Sequence, residues 1–196
     1  METTTSITFI TGGVRSGKSS FAERIAIQKA EEIGGSLHYI ATGRATDSEM
    51  RLRIKRHQED RNKSGHSWKT WEKETNISTL ATEFDKKDVI LLDCLTTMLS
   101  NELFAHEGDW MKQRLEKKEV FQRIWQGIKE IADYSNQVIL VSNEVLNEPI
   151  PPNELLMTYS ELLGKLHQKI VRYAEKAYLV EAGVPLLMKM HVQKGG

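Results

Sequence analysis

Cys94 is the only cysteine in the chain, which excludes an intrachain disulfide framework and a cysteine-built zinc site. Prolines number four in 196 residues, and three of them crowd into LNEPIPPN at 146–153, which reads as a loop rather than a domain boundary. Net charge is also lacking, since 27 Lys and Arg balance 27 Asp and Glu. Without a basic excess or an aromatic-basic stripe, a nucleic-acid motor or a dedicated nucleic-acid binder is disfavoured. No apolar run approaches the length needed to span a bilayer. The opening METTTSITFITGG has no positive n-region and too short an apolar run for a signal peptide. The expectation is therefore a cytoplasmic protein with neither a membrane nor a nucleic acid as partner.

What the chain does have is 39% apolar and 28% charged residues, the balance of a folded globular protein, in a length that suits one domain over 1–196. Apolar runs alternate with helical patterns. SITFITGG, LHYIAT, DVILLDCLT, QVILVS and AYLVE read as strands, with SWKTWE and LLMKM as two further candidates. FAERIAIQKAEEIGG carries Phe21, Ala22, Ile25, Ala26 and Ile33 at helical spacing and stops at Gly34–Gly35. DSEMRLRIKRHQEDRN reads as a helix with Asp47 or Ser48 near its N-cap, and long helical patterns fill 110–133 and 153–175. Continuously apolar strands separated by helices predict an α/β protein with a mostly parallel, doubly wound sheet flanked by helices.

GGVRSGKSS lies between the first strand and the first helix. Gly12, Gly17, Lys18 and Ser19 satisfy G-x-x-x-x-G-K-[ST], the P-loop, in its required strand–loop–helix context. Glycines let successive backbone N–H groups turn inward onto phosphate oxygens, and the helix N-terminus adds partial positive charge. The nucleotide cradle is thus expected from Gly12, Gly13, Val14, Arg15, Ser16, Gly17, Lys18 and Ser19. Lys18 is placed to reach the β- and γ-phosphates and the Ser19 hydroxyl to bind Mg²⁺. Asp93, at the end of VILLD, is the expected second metal residue; its competing role is to cap the following helix. Thr42, Asp93, Asn143 and Glu144 end strands and should converge on one crevice beyond the carboxyl ends of the sheet.

RIKRHQEDR places Arg53, His57 and Arg61 on one helical face at i, i+4 and i+8. The arginines offer donors to phosphate oxygens and, by like-charge repulsion, keep the imidazole neutral and nucleophilic. From the helix alone, the alternative of a solvated charged face stays open.

The order and spacing of GGVRSGKS, YIAT, DSEMRLRIKRHQEDR, WKTWE, ILLDCLTTMLSN and SNEV resemble the bifunctional adenosylcobinamide kinase / adenosylcobinamide-phosphate guanylyltransferase family, over residues 7–189 and most closely over 8–101. The family's GG-x-RSGKS is met by Gly12, Gly13, Arg15, Ser16, Gly17, Lys18 and Ser19. Its D-x-E-M-x-x-R-I-x-x-H is met by Asp47, Glu49, Met50, Arg53, Ile54 and His57. The resemblance implies a RecA-like P-loop fold and a homo-oligomer. It implies catalytic roles for His57 and Lys18, with Thr42, Arg53, Arg61, Glu72 and Asp93 also at the nucleotide. It further implies ATP and GTP as substrates with Mg²⁺, and a corrinoid acceptor that is first phosphorylated and then receives GMP through a histidyl–GMP intermediate. The match departs after SNEV. Where the family continues G-x-G-x-V-P, this chain has Leu146-Asn147-Glu148-Pro149-Ile150-Pro151, and further on Met157 and Ser160 stand at arginine positions while Glu161 replaces an aspartate before Gly164. A P-loop kinase of another small hydroxyl substrate, without guanylyltransferase activity, is the alternative reading.

Overall fold

Seven apolar runs become strands of one sheet in the computed structural model, which describes residues 6–43, 55, 59, 61, 65–104, 113–144 and 153–190. The elements are β1 (Ser6–Gly12), α1 (Lys18–Ile33), β2 (Ser36–Ala41), β3 (Trp68–Glu72), a 3₁₀ segment (Ile77–Glu83), β4 (Asp88–Asp93), α2 (Leu95–Phe104), α3 (Gln113–Tyr134), β5 (Gln137–Asn143), α4 (Glu154–Tyr173), β6 (Lys176–Glu181) and β7 (Val184–Met190). The strand order is β3-β2-β4-β5-β1-β6-β7. All pairings are parallel except the last, a β6–β7 hairpin.

Both faces of the sheet are covered, which is why its central strands need no polar alternation. In β4, Ile90 and Leu92 face one core with α2, α3 and α4, while Val89 and Leu91 face the other with α1. The neighbouring strands repeat the division: Phe9, Val138 and Leu140 lie on the first side and Ile10, Ile139 and Val141 on the second. This is the mostly parallel, doubly wound arrangement that the alternating pattern predicts, and it agrees with the RecA-like P-loop fold that the resemblance implies.

Both candidate extra strands are real, as β3 and β7. The run DVILLDCLT is shorter than expected as a strand: extension ends at Asp93 and α2 begins at Leu95. Apolarity alone does not mark that change, because Leu95, Met98 and Leu99 are as buried in their helix as Leu91 and Leu92 are in their strand. The caps follow local chemistry. Asn153 starts α4 by accepting from Leu155 N at 2.9 Å and Leu156 N at 3.3 Å, and Gly34 ends α1 in the left-handed region with φ 62°. Among the described residues no helix is long and apolar enough to cross a membrane.

Candidate nucleotide site

The phosphate loop joins β1 to α1 and is held from below by the β6–β7 turn. A Cβ on Gly12 would stand 2.3 Å from Val180 O, so only glycine lets the loop lie this close to β6. Gly183 N donates to Ser16 O at 2.8 Å, and Gly17 has φ 89° as it enters α1. No side chain caps α1 and its first turn holds no acidic residue, so the N–H groups there are not engaged by a side-chain cap. Lys18 curls over the loop, its Nζ donating to Gly13 O at 2.9 Å, and is 4% exposed. Ser16 Oγ is buried without a hydrogen-bond partner among the described residues. A buried, unsatisfied hydroxyl inside a cradle of backbone donors fits a loop built to close on phosphate oxygens. Val14 and Arg15 are exposed on the outer side of the loop.

The strand ends converge as the parallel register requires. Gly12 pairs with Asn143, and Ala41 with Asp93. Glu144 N donates to Gly12 O at 2.9 Å and Thr42 N to Asp93 O at 3.2 Å. Thr42, Asp93, Asn143 and Glu144 therefore lie along the same edge as the phosphate loop. Glu72, exposed at the end of β3, is aligned with Ala41 further along that edge. Asp93 and Ser19 are both half-buried and offer only oxygen, a donor set that fits Mg²⁺, which takes one or two protein oxygens beside phosphates and water.

Several expected residues are occupied differently from a ligand contact. Thr42 is fully buried; its Oγ1 donates to Cys94 O at 2.8 Å and accepts from Cys94 N at 2.9 Å. It clamps the residue after Asp93 rather than facing the crevice. Arg61 is 4% exposed, with its guanidinium carbon 3.6 Å from the Tyr39 ring centroid and Nη1 3.4 Å from Glu23 Oε1 on α1. A side chain so packed anchors its segment to β2 and α1. Asn143 Nδ2 donates to Thr96 Oγ1 at 2.9 Å, bridging the end of β5 to the first turn of α2. His57 and Arg53, the centre of the expected guanylyl site, lie outside the described residues, as do Asp47, Glu49, Met50, Ile54 and the loop 146–151. Met157 is exposed in the first turns of α4, and Glu161 is paired with Lys165 at 2.5 Å.

Tyr39 is the residue at this edge that sequence reasoning missed. Its hydroxyl donates to Asp93 Oδ2 at 3.2 Å. The only signal for it is a register, the pairing of β2 with β4, that one sequence does not disclose. The Cys94 thiol is inert in this setting: burial first, and then the Asp93 charge, push it above its ordinary value. Two clefts of about 350 and 600 Å³ lie away from the phosphate loop, the first among the opening residues of β1, β5 and β6 at the opposite end of the sheet. The backbone donors of residues 12–19, and not these clefts, define the site.

The family model described as cobinamide kinase / cobinamide phosphate guanyltransferase matches residues 8–188. The chain is 31% identical to the bifunctional adenosylcobalamin biosynthesis protein CobU of Escherichia coli, over 92% of this chain and 98% of that protein. It is 36% identical to the bifunctional adenosylcobalamin biosynthesis protein CobP of Pseudomonas aeruginosa, over 92% and 95% respectively. Among solved structures, the flagellar accessory protein FlaH of Methanocaldococcus jannaschii superposes with a TM-score of 0.50 at 15% identity, covering 95% of this chain and 79% of that one. That likeness is one of fold.

Proposed function

The chain belongs to the cobinamide kinase / cobinamide phosphate guanyltransferase family, and from that premise we propose that it phosphorylates adenosylcobinamide and then converts the phosphate to adenosylcobinamide-GDP. The observation that carries the reading is the phosphate loop itself, with Lys18 folded over it and Asp93 at the same sheet edge.

In the first reaction the triphosphate lies in the cradle of residues 12–19. The aminopropanol hydroxyl of the corrinoid attacks the γ-phosphorus, the bond to the β,γ-bridging oxygen breaks, and the hydroxyl proton passes to solvent. In the second, a ring nitrogen of His57 attacks the α-phosphorus of GTP and pyrophosphate departs. The phosphate of adenosylcobinamide phosphate then displaces the histidine and takes the GMP. Two displacements replace one direct transfer between anions. Backbone N–H groups, the α1 N-terminus and Lys18 bind the β- and γ-phosphates in both reactions and stabilise the departing charge. Ser19 and Asp93 would hold Mg²⁺, which would neutralise phosphate charge and polarise the attacked phosphorus. Arg53 and Glu72 complete the nucleotide contacts. Thr42 and Arg61 serve from behind, by fixing main chain and packing.

The reading includes a cytoplasmic homo-oligomer. Its support is β7, an edge strand on which Val184, Leu186, Leu187, Met188 and Met190 are exposed. Light scattering on the purified chain tests it.

The deciding experiment is incubation with GTP and Mg²⁺, denaturation, and mass measurement. The protein should gain one GMP, labile to mild acid and stable to alkali as a phosphoramidate is. His57→Ala should lose the adduct and the second reaction while keeping phosphorylation. A P-loop kinase for another hydroxyl substrate would bind GTP and form no adduct. An adduct on His66 would also remove His57 from the mechanism.

A further inference from the structure

Asp93 is gripped from one neighbouring strand at two points. Its Oδ2 accepts from Tyr39 Oη at 3.2 Å, and Oδ1 accepts no hydrogen bond from a described residue. One residue on, both polar groups of the Cys94 main chain are held by Thr42 Oγ1, at 2.8 and 2.9 Å. Asn101 Nδ2 in turn fixes Thr42, donating to its carbonyl at 2.7 Å. The contacts to Asp93 and Cys94 come from β2 and the residue that follows it, because β2 lies beside β4 with Tyr39 paired to Leu91 and Ala41 to Asp93; Asn101 backs Thr42 from α2. Side chains at Tyr39, Leu91 and Asp93 point to the same face of the sheet, so the phenol reaches the carboxylate diagonally.

The phenol has its own support. Tyr39 is 7% exposed, the Arg61 guanidinium lies on its ring, and Trp68 packs edge-on against it with ring centroids 6.4 Å apart. Arg61 also meets Glu23 on α1, the helix that begins at Lys18. Arg61, Tyr39 and Asp93 therefore form a continuous stack that leads from Arg61 to the strand end at the nucleotide edge.

We infer that Tyr39 is a positioning residue for the metal-bearing carboxylate. Its hydroxyl takes Oδ2 of Asp93 and thereby presents Oδ1 to the divalent cation of the bound nucleotide, while Arg61, seated on the ring, holds the phenol in that pose. The inference rests on the reading of Asp93 as a Mg²⁺ residue. A carboxylate free to rotate about its last torsion offers either oxygen and spends part of its binding energy on ordering; one already hydrogen-bonded on a single oxygen does not.

Mn²⁺ is the probe, bound in the presence of the α,β-methylene analogue of GTP and read by electron paramagnetic resonance, so that neither turnover nor guanylylation enters the measurement. Tyr39→Phe keeps the ring that packs against Arg61 and Trp68 and removes only the hydroxyl. Its Mn²⁺ affinity should fall about ten-fold, the scale of one hydrogen bond to a charged acceptor, with affinity for the analogue in the absence of metal unchanged. Arg61→Met, which keeps an apolar stem over the ring, should lower Mn²⁺ affinity in the same direction by a smaller factor. Asp93→Asn tests the underlying reading and should lose more than Tyr39→Phe. If Asp93→Asn weakens Mn²⁺ binding and Tyr39→Phe does not, the inference is overturned while the metal reading stands. If Asp93→Asn leaves Mn²⁺ binding unchanged, the metal reading fails and the inference with it. Equal loss of metal-free nucleotide binding in Tyr39→Phe would mean a general loosening of β2, which also overturns it.

Discussion

Ser142 Oγ and His167 Nε2 lie 2.7 Å apart, joining the last turns of β5 to the middle of α4. Ser142 is wholly buried, and the imidazole packs against Phe9 with ring centroids 5.0 Å apart. Burial lowers the His167 pKa from 6.5 to about 4. His38 is lowered in the same direction, burial outweighing the pull of Asp88 at 3.3 Å. A histidine whose folded pKa lies below its unfolded value binds its proton more readily in the unfolded chain. Its contribution is present in full above the unfolded value and is lost as pH falls from 6.5 towards 4. For His167 the loss is at most about 3 kcal/mol. Urea midpoints measured between pH 7.5 and pH 4.5 should fall, and less steeply in His167→Gln than in the parent. Equal slopes would remove His167 from the acid sensitivity.

Lys18→Ala should depress both proposed reactions together, because both use the same triphosphate cradle. A lost charge-assisted clamp on the transferring phosphate corresponds to at least about a hundred-fold in kcat/KM. The comparison is of two assays on one variant, nucleotide-dependent phosphorylation and GMP adduct formation. Parent-like turnover in either would place that reaction's triphosphate outside the loop.

Glu102 is a buried carboxylate with defined partners. Its Oε1 accepts from Asn76 N at 2.6 Å and its Oε2 from Arg123 Nη1 at 2.8 Å, with the glutamate 4% exposed. It pins the turn before the 3₁₀ segment to α2 and α3. Glu102→Ala strands a backbone N–H and one side of a partly exposed guanidinium, which should cost about 2–3 kcal/mol. Denaturant titration of Glu102→Ala and Arg123→Ala gives the comparison. The glutamate change should be the larger, because it also orphans the Asn76 amide.

The corrinoid side should be weaker than in relatives that keep glycines at the positions of Leu146 and Glu148. Calorimetric titration with adenosylcobinamide should show looser binding, and the double change Leu146→Gly, Glu148→Gly should tighten it. Restoring arginine at Met157, which is exposed on α4, should tighten binding of the phosphorylated corrinoid in particular. No change on either restoration would show that acceptor affinity is set elsewhere.

Much of the fold was legible in the sequence because the relevant physics is local. The runs around Ile90 and Leu140 are short, β-branched-rich and apolar without alternation, the pattern of strands covered on both faces. Gly12, Gly17, Lys18 and Ser19 could be read as a phosphate cradle because the chemistry needs those residue types within eight positions of one another. Both marginal candidates, SWKTWE and LLMKM, overlap strands of the sheet, β3 and β7. Leu95 was missed as a helix start because a buried helix and a buried strand look alike in apolarity when no turn residue separates them.

Only the tertiary structure decided what the polar residues at the strand ends do. Thr42 and Arg61 carry groups fit for phosphate, and the family resemblance implies that both belong to the nucleotide. In the fold, β2 lies beside β4, so Thr42 meets the main chain of Cys94, 52 residues on, and Arg61 packs on Tyr39. Tyr39 gains its partner Asp93 across 54 residues by the same pairing. A sequence determines which groups are available and which segments are strands or helices, since those depend on neighbours along the chain. Which donor meets which acceptor is a matter of strand order and register, set by the packing of two cores that no single segment contains.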